Sequence, residues 1–333
     1  MMPPKDRYLV TGATGFIGRH VVERLLADGG RVRVLVRDRS RVPGTWRDRV
    51  EVIEGDVTRA AGLIPAVRDV DVILHLAGVI NLPPGEEARF FQVNLEGTQH
   101  LFKAVLETGR TPDRFLYCGS VGVMGDLTEI PANEETPCFP TNAYERSKLE
   151  AEHWVLAEGR RRGIPVSAVR PAWVYGPGDC RTLPIFSMIA RRRFVMIGTG
   201  ETWIHPVFVE DLAEGLLRCA RSGEAVGRCV ILAGAAPVRL KDLAALIAEA
   251  SGVKLLPWRV PVPVASVIAI GCEILYKPLR KRPPIHRRRL GFFLRDQSFD
   301  ISLARRCCGY APETPLREGI YQTVAWYRRR GWL

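Results

Sequence analysis

The sequence predicts an α/β protein: a doubly wound parallel sheet built by the first half of the chain, with a smaller, mostly C-terminal domain beside it. Two observations predict this. From Arg7 to about Pro171, short runs of β-branched and apolar residues alternate with stretches of helical periodicity. Such alternation covers both faces of a parallel sheet with helices. The first run also closes on a glycine-rich turn that opens directly into a helical pattern.

Taken in order, RYLVTG is a strand ending in glycine, and Gly18 to Ala27 carries apolar residues at helical spacing. RVRVLVR and VEVIEGD are the second and third strands, and the strongly apolar VDVILHLAG is the fourth. RFLYCGS is the fifth, and IPVSAVRPAWVYGP contains a sixth. Helices are expected over Arg89–Thr108 and Tyr144–Arg162. After Pro171 the pattern loosens at Pro177, Pro184 and Gly198. WIHPVFVEDLAEGLLRCA then reads as a strand entering a helix, with Glu210 and Asp211 at the helix start where acids favour the dipole. LKDLAALIAEASG is an amphipathic helix stopped by glycine. A last helix lies within ETPLREGIYQTVAWYRRRGW. The expected division is residues 1–175, with contributions from about 203–235, for the sheet domain. Residues 176–202 and 236–333 form the second domain and tail.

The 333 residues carry 48 Lys or Arg against 36 Asp or Glu, a formal charge of +12. That excess suits an anionic partner. A nucleic-acid role is set aside because the basic runs lack interleaved aromatics in a recognised module. The N-terminal MMPPKDR leads straight into YLVT, unlike an export signal. A cytoplasmic setting follows, with the membrane face as a possible peripheral contact. The eight cysteines show no metal or redox spacing and read as small core residues, with adjacent Cys307 and Cys308 poorly placed to pair with each other. The six histidines are scattered, and no metal site is expected.

TGATGFIG spaces Gly12, Gly15 and Gly18 at a strand–turn–helix junction. Absent side chains at Gly12 and Gly15 let backbone approach a pyrophosphate, and Gly18 permits close packing of helix on strand. The helix start, with Thr14, Phe16 and Ile17 around it, supplies unpaired N–H groups and the positive dipole end. A dinucleotide cofactor is the implied ligand. The second strand ends at Val36 and Arg37, and a guanidinium there suits a 2′-phosphate, favouring NADP over NAD. Asp38 keeps NAD open. Asp56, at the end of the third strand, is a candidate acceptor for the adenine amino group with Val57 beside it, or alternatively an N-cap. Leu76, Ala77 and Gly78 end the fourth strand, where small residues leave room for the cofactor.

Tyr144 and Lys148 stand four residues apart on one helix face. A tyrosine with a pKa of about 10 is a poor base at neutral pH, and a neighbouring ammonium lowers that value. Alone, the pair could be a surface contact beside Arg146 and Glu150. His75, in an apolar strand, reads as a core histidine rather than a catalytic one.

The segments TGATGFIG, EGDV, HLAG, VNLEGT, YCGSVGVMG, YERSK and RPAWVYGP together resemble the extended short-chain dehydrogenases/reductases of the NAD-dependent epimerase/dehydratase group. The likeness covers nearly the whole chain. It implies a Rossmann domain with a smaller substrate domain, and a nicotinamide-dependent enzyme. It also implies Tyr144 as proton donor or acceptor, Lys148 as its tuner and ribose contact, Ser120 as the orienting hydroxyl, and Asn94 as a supporting group. Pro171 to Gly176, with Val174 and Tyr175, would border the nicotinamide. The tail from Leu294 is most similar to the 3β-hydroxysteroid and sterol-carboxylate dehydrogenase branch. The implied function is interconversion of a secondary alcohol and ketone on an apolar, sterol-like or polycyclic small molecule. Two alternatives stay open: a nucleotide-sugar epimerase or dehydratase, with Arg181, Arg191 and Arg192 as loose candidates for its diphosphate grip, and a non-catalytic dinucleotide-binding subunit of a membrane-associated assembly. In the family, helices such as 89–108 and 144–162 commonly make a four-helix homodimer interface.

Segment 261–295 is apolar from Pro261 to Tyr276 and then carries eight Lys or Arg and no acid between Lys277 and Arg295. The apolar part is short for a span of about 20 residues. It reads as an interfacial membrane contact, a cover over an apolar pocket, or a packed helix with a solvated basic loop.

Overall fold

The computed structural model describes residues 6–276 and 287–333. Strands β1 (Arg7–Thr11), β2 (Arg31–Val36), β3 (Val50–Glu54), β4 (Val72–His75), β5 (Arg114–Cys118) and β6 (Val166–Pro171) join the strand Cys229–Leu232 in one seven-stranded sheet. The spatial order is 229–232, β6, β5, β4, β1, β2, β3, and every pairing is parallel. The order reverses between β1 and β4. In a Rossmann-type sheet that switch point opens a crevice at the carboxyl ends of the strands. β4 and β6 are buried along their whole length, as near-continuous apolar runs covered on both faces should be.

The helices α1 (Phe16–Ala27), α2 (Ile64–Val67), α3 (Ala88–Phe91), α4 (Gly97–Glu107), α5 (Ala143–Arg162), α6 (Leu183–Ala190), α7 (Val209–Arg221) and α8 (Leu240–Ala250) follow in the chain. One apolar core packs α1 and α7 against the sheet through Val21, Leu25, Leu212 and Leu216. The opposite core uses Leu101 and Phe102 of α4 with Ala151 and Val155 of α5. A third joins Phe186 of α6, Leu243 of α8 and Tyr327 of α12 (Leu316–Arg329), outside the sheet.

The helix expected over 89–108 is not uniform. Between α3 and α4 the residues Gln92–Glu96 form a π turn. Its widened ring rotates Asn94 to 1% exposure, and such bulges recur at functional sites. No local sequence signal announces it. α8 ends as expected, with Gly252 at φ +67 just beyond it.

The apolar segment forms α9 (Val262–Tyr276), followed by α10 (Arg287–Leu294) and α11 (Ser302–Cys308). α9 packs by one face, burying Ala265 and Ala269 with Leu290. Val264, Val267, Ile268 and Leu275 are 50%, 70%, 44% and 68% exposed on another. Residues 277–286 of the basic run lie outside the described residues. No described helix is long and apolar enough to cross a membrane. The cysteines form no disulfide. Cys118, Cys219 and Cys307 are buried, Cys180 is exposed and the rest are half-buried.

Candidate active site

The glycine turn is built against the switch point. Gly12 has φ +69, and a Cβ there would stand 2.7 Å from the Ala77 nitrogen and 2.8 Å from the Leu76 carbonyl carbon. A Cβ on Gly18 would overlap the Gly12 carbonyl oxygen. These positions admit no side chain, so backbone alone faces the crevice. Gly15 precedes α1 as its N-cap, so there is no side-chain cap, and the first turn holds no acid. Its free N–H groups and dipole therefore favour an anion. The turn fits a dinucleotide pyrophosphate on these grounds. Arg19 Nε donates to the Thr14 carbonyl at 3.2 Å, and Ile17 packs partly buried into the core.

At its carboxyl end, β2 stops at Val36 and leaves Arg37 exposed. Asp38 is committed locally. Its carboxylate accepts from the Ser40 nitrogen at 2.8 Å and the Ser40 hydroxyl at 2.6 Å, and these bonds lower its pKa. Asp56 also caps a turn, accepting with Oδ1 from Thr58 N and Oγ1, both at 2.9 Å. It nevertheless lines a cavity of about 370 Å³ with Arg37, Thr58, Arg59, Arg89 and Gln92. Arg89, paired with Glu86 at 2.9 Å, arrives there from a segment remote in sequence. Val57 is buried, and a Cβ on Gly97 would stand 2.8 Å from its Cγ2.

Tyr144 lies in the first turn of α5. Asn142 caps that helix by accepting from the Glu145 nitrogen at 3.1 Å. The Glu145 carboxylate reaches back to Thr141 N at 2.7 Å and Thr141 Oγ1 at 2.9 Å. This reciprocal cap resembles a capping box shifted by one residue, and it fixes the turn that carries Tyr144. The Tyr144 ring stands edge-on to Phe90 at 6.0 Å. Lys148 is 5% exposed, and its Nζ donates to the Cys118 carbonyl at 2.6 Å, two residues before Ser120. Burial lowers its pKa, against the opposing influence of Cys118 and Glu152. A Cβ on Gly78 would meet Asn94 Oδ1 at 3.1 Å and Lys148 Nζ at 3.3 Å. Asn94 and Lys148 thus converge on the end of β4.

Asn94 accepts from the Val79 nitrogen at 2.9 Å and donates to the Val79 carbonyl at 3.1 Å and Ser147 Oγ at 2.9 Å. Ser120 Oγ accepts from the Gly122 nitrogen at 3.1 Å, which leaves the hydroxyl proton to donate elsewhere. Pro171 ends β6 opposite Leu232, and Val174 is buried in the strand Trp173–Tyr175 opposite Val207. Tyr175 belongs to the third core: it is 1% exposed and its ring packs on Trp173 and Phe208.

His75 is the core histidine expected, with its proton order fixed. Thr98 Oγ1 must donate to the Asn94 carbonyl at 2.6 Å. It therefore accepts from His75 Nε2–H at 3.0 Å. Nδ1 then accepts from Thr11 Oγ1 at 2.7 Å, and that hydroxyl accepts from Ala77 N–H at 3.1 Å. The chain of bonds ties the end of β4 to the π turn. Burial, aided by the Lys148 charge, lowers the His75 pKa from 6.5 to about 3. Below pH 6.5 the unfolded chain takes up a proton that the folded imidazole refuses. Stability from this site is intact above 6.5 and falls as pH drops toward 3, by up to about 1.4 kcal/mol per unit. His75→Gln should flatten melting temperature against pH between 6.5 and 4.5. Parallel curves for the two proteins in thermal melts would refute this.

Among the described residues no group of His, Cys, Asp and Glu is placed to hold a metal. Residues 8–232 match the model of the NAD dependent epimerase/dehydratase family. The chain is 28% identical over 342 residues to a 3 beta-hydroxysteroid dehydrogenase/Delta 5-->4-isomerase of Mycobacterium tuberculosis, covering 96% of this chain and 90% of that protein. It is 30% identical over 331 residues to the ceramide reductase of Caulobacter vibrioides, covering 97% and 95%. Among solved structures it is similar to gox2253, with a TM-score of 0.82 at 30% identity over 98% of this chain and 99% of that one. The family match takes in the glycine turn, the sheet and the Tyr144–Lys148 helix together, and the chain belongs to the NAD dependent epimerase/dehydratase family.

Proposed function

We propose that the protein is an NAD(P)-dependent oxidoreductase interconverting a secondary alcohol and a ketone on an apolar, sterol-like or polycyclic substrate. The observation that carries this is the setting of Tyr144. It is buried with Phe90 and Ala143 in an apolar cluster completed by Val79, Ile80 and Leu82, while Lys148 and the Asn94-bonded Ser147 lie on the same helix. Tyr144 transfers the proton at the substrate oxygen, Ser120 donates a hydrogen bond to that oxygen, and Lys148 favours the phenolate. Asn94 holds the β4 end against Ser147. A nicotinamide bound against these residues would supply or accept the hydride. The names of the M. tuberculosis and C. vibrioides relatives support an apolar lipid substrate.

A nucleotide-sugar reading needs a diphosphate grip in the second lobe. Arg181 does not serve it, since its guanidinium lies over Phe16 of the glycine turn. Incubating the protein with NADPH and a panel of sterol and polycyclic ketones, beside UDP-glucose, tests the choice. Oxidation of NADPH with an apolar ketone is expected. Turnover of the UDP-sugar without net NADPH change would overturn the reading.

The cofactor preference we propose is NADP, because Arg37 shares its cavity with Arg59 and Arg89 and Asp38 is engaged by Ser40. Arg37→Gln should weaken NADPH binding by about tenfold, the worth of one charged hydrogen bond, and leave NADH nearly unchanged. Titration of the nicotinamide fluorescence checks this.

The exposed face of α9 supports peripheral contact with an anionic membrane surface. Its fifteen residues rise about 22 Å, short of a bilayer core of about 30 Å, and the sequence turns strongly basic where the helix ends. Flotation with vesicles containing phosphatidylserine should recover the protein, and Val267→Glu should reduce that recovery severalfold. Equal recovery of both proteins would refute the contact.

A further inference from the structure

The loop from Gly176 to Thr182 is closed by a fully buried carboxylate. Asp179 Oδ1 accepts from the Arg181 nitrogen at 2.9 Å and from Arg181 Nε at 3.3 Å. Oδ2 accepts from Thr182 N at 3.2 Å and Thr182 Oγ1 at 2.8 Å. From the other side, the buried Tyr327 hydroxyl of α12 donates to the Asp179 carbonyl at 2.6 Å. The loop is also fastened to α1. His20 Nε2 donates to the Pro177 carbonyl at 2.9 Å, and a Cβ on Gly178 would touch the Phe16 ring at 3.9 Å.

These contacts aim one side chain. The Arg181 guanidinium carbon is 5.7 Å from the Phe16 ring centroid. Its charge also reaches Cys118 at the end of β5, where burial raises the thiol pKa while Lys148 and then Arg181 pull it down. Arg181 therefore stands beside Phe16 at the start of α1. Its side chain is 36% exposed. The guanidinium is ion-paired with Asp179 through Nε at 3.3 Å, and its terminal nitrogens make no hydrogen bond within the described residues.

We infer that Arg181 clamps the dinucleotide pyrophosphate from the side opposite the glycine turn. The inference rests on reading that turn as a dinucleotide site. The turn itself offers the pyrophosphate backbone N–H groups and a dipole, with Arg19 turned back onto the Thr14 carbonyl. Arg181 supplies a cation as a planar fork whose charge is permanent. Its stem is held by Asp179 and Phe16 before the ligand arrives, so little rotamer freedom is lost on binding. The holder loop is pinned by α12, which couples cofactor retention to the C-terminal helix.

The two phosphates are common to NADH and NADPH, and this sets the test. With wild type, Arg181→Gln, Arg181→Lys and Arg37→Gln, dissociation constants for both dinucleotides are measured by calorimetry. Arg181→Gln should weaken both by the same factor, about tenfold, and Arg181→Lys, which keeps the charge, should restore part of the loss. Arg37→Gln should affect NADPH selectively. Unchanged affinity of Arg181→Gln for both dinucleotides, or a raised substrate KM as its sole effect, overturns the clamp. Failure of the wild type to bind either dinucleotide would instead refute the proposed function.

Discussion

Tyr144→Phe should abolish most turnover, lowering kcat by about a hundredfold to ten-thousandfold, the usual share of a positioned acid or base. Dinucleotide affinity should stay within about twofold of wild type, because the substitution removes one oxygen and leaves the ring. That ring keeps its edge-on contact with Phe90, and the helix start keeps its Asn142 and Glu145 bonds. The fold is therefore expected to survive, and a matched melting temperature verifies that loss of activity is not loss of structure. The measurement is kcat with an apolar ketone and NADPH at neutral pH. Retention of more than a tenth of wild-type kcat would remove Tyr144 from the proton-transfer role.

The features of this region differ in how visible they were in the chain. The glycine turn was legible because its cause is local: Gly12 takes a positive φ and faces backbone of the neighbouring strand, conditions that other residues do not meet. The Tyr144–Lys148 spacing was legible because helical geometry is fixed. Parallel strands were legible because burial on both faces leaves unbroken apolar runs such as Val72–His75. Asn94 was placed on a helix, but the π turn that rotates it inward comes from packing against Val79 and Ser147. Asp38 and Asp56 illustrate a second limit. A carboxylate at a strand end has two local uses, ligand or cap, and each found a hydroxyl two residues on. Arg89 and Arg181 mark a third. Arg89 joins the cavity lined by Arg37 and Arg181 lies by Phe16, each from a segment remote in sequence that only the tertiary fold brings close. α9 is a fourth case: composition gave its apolarity, but the face that Ala265 and Ala269 bury and the face left to solvent depend on where Leu290 packs.

Lys148→Met should damage catalysis and cofactor binding together while leaving the protein at least as stable. The ammonium is nearly excluded from water, with the Cys118 carbonyl at 2.6 Å and the Tyr117 ring centroid at 4.7 Å. Burial depresses its pKa, so the sign of its effect on stability follows. The unfolded chain binds this proton more tightly than the folded one, and the stability lost to the buried charge is recovered only as pH rises through the folded pKa toward 10.5. At neutral pH the charge is a burden on the fold. Methionine fills similar volume without it. The Cys118 carbonyl then loses a donor, at about 1–3 kcal/mol, which offsets part of the relief. Melting temperature should consequently remain within a few degrees of wild type or rise. Turnover should fall by about a hundredfold or more and dinucleotide affinity by about tenfold. This combination, stability kept and function lost, separates a site built for chemistry from a helix pair built for packing. A variant that is destabilised yet fully active per folded molecule would show that Lys148 serves the fold alone.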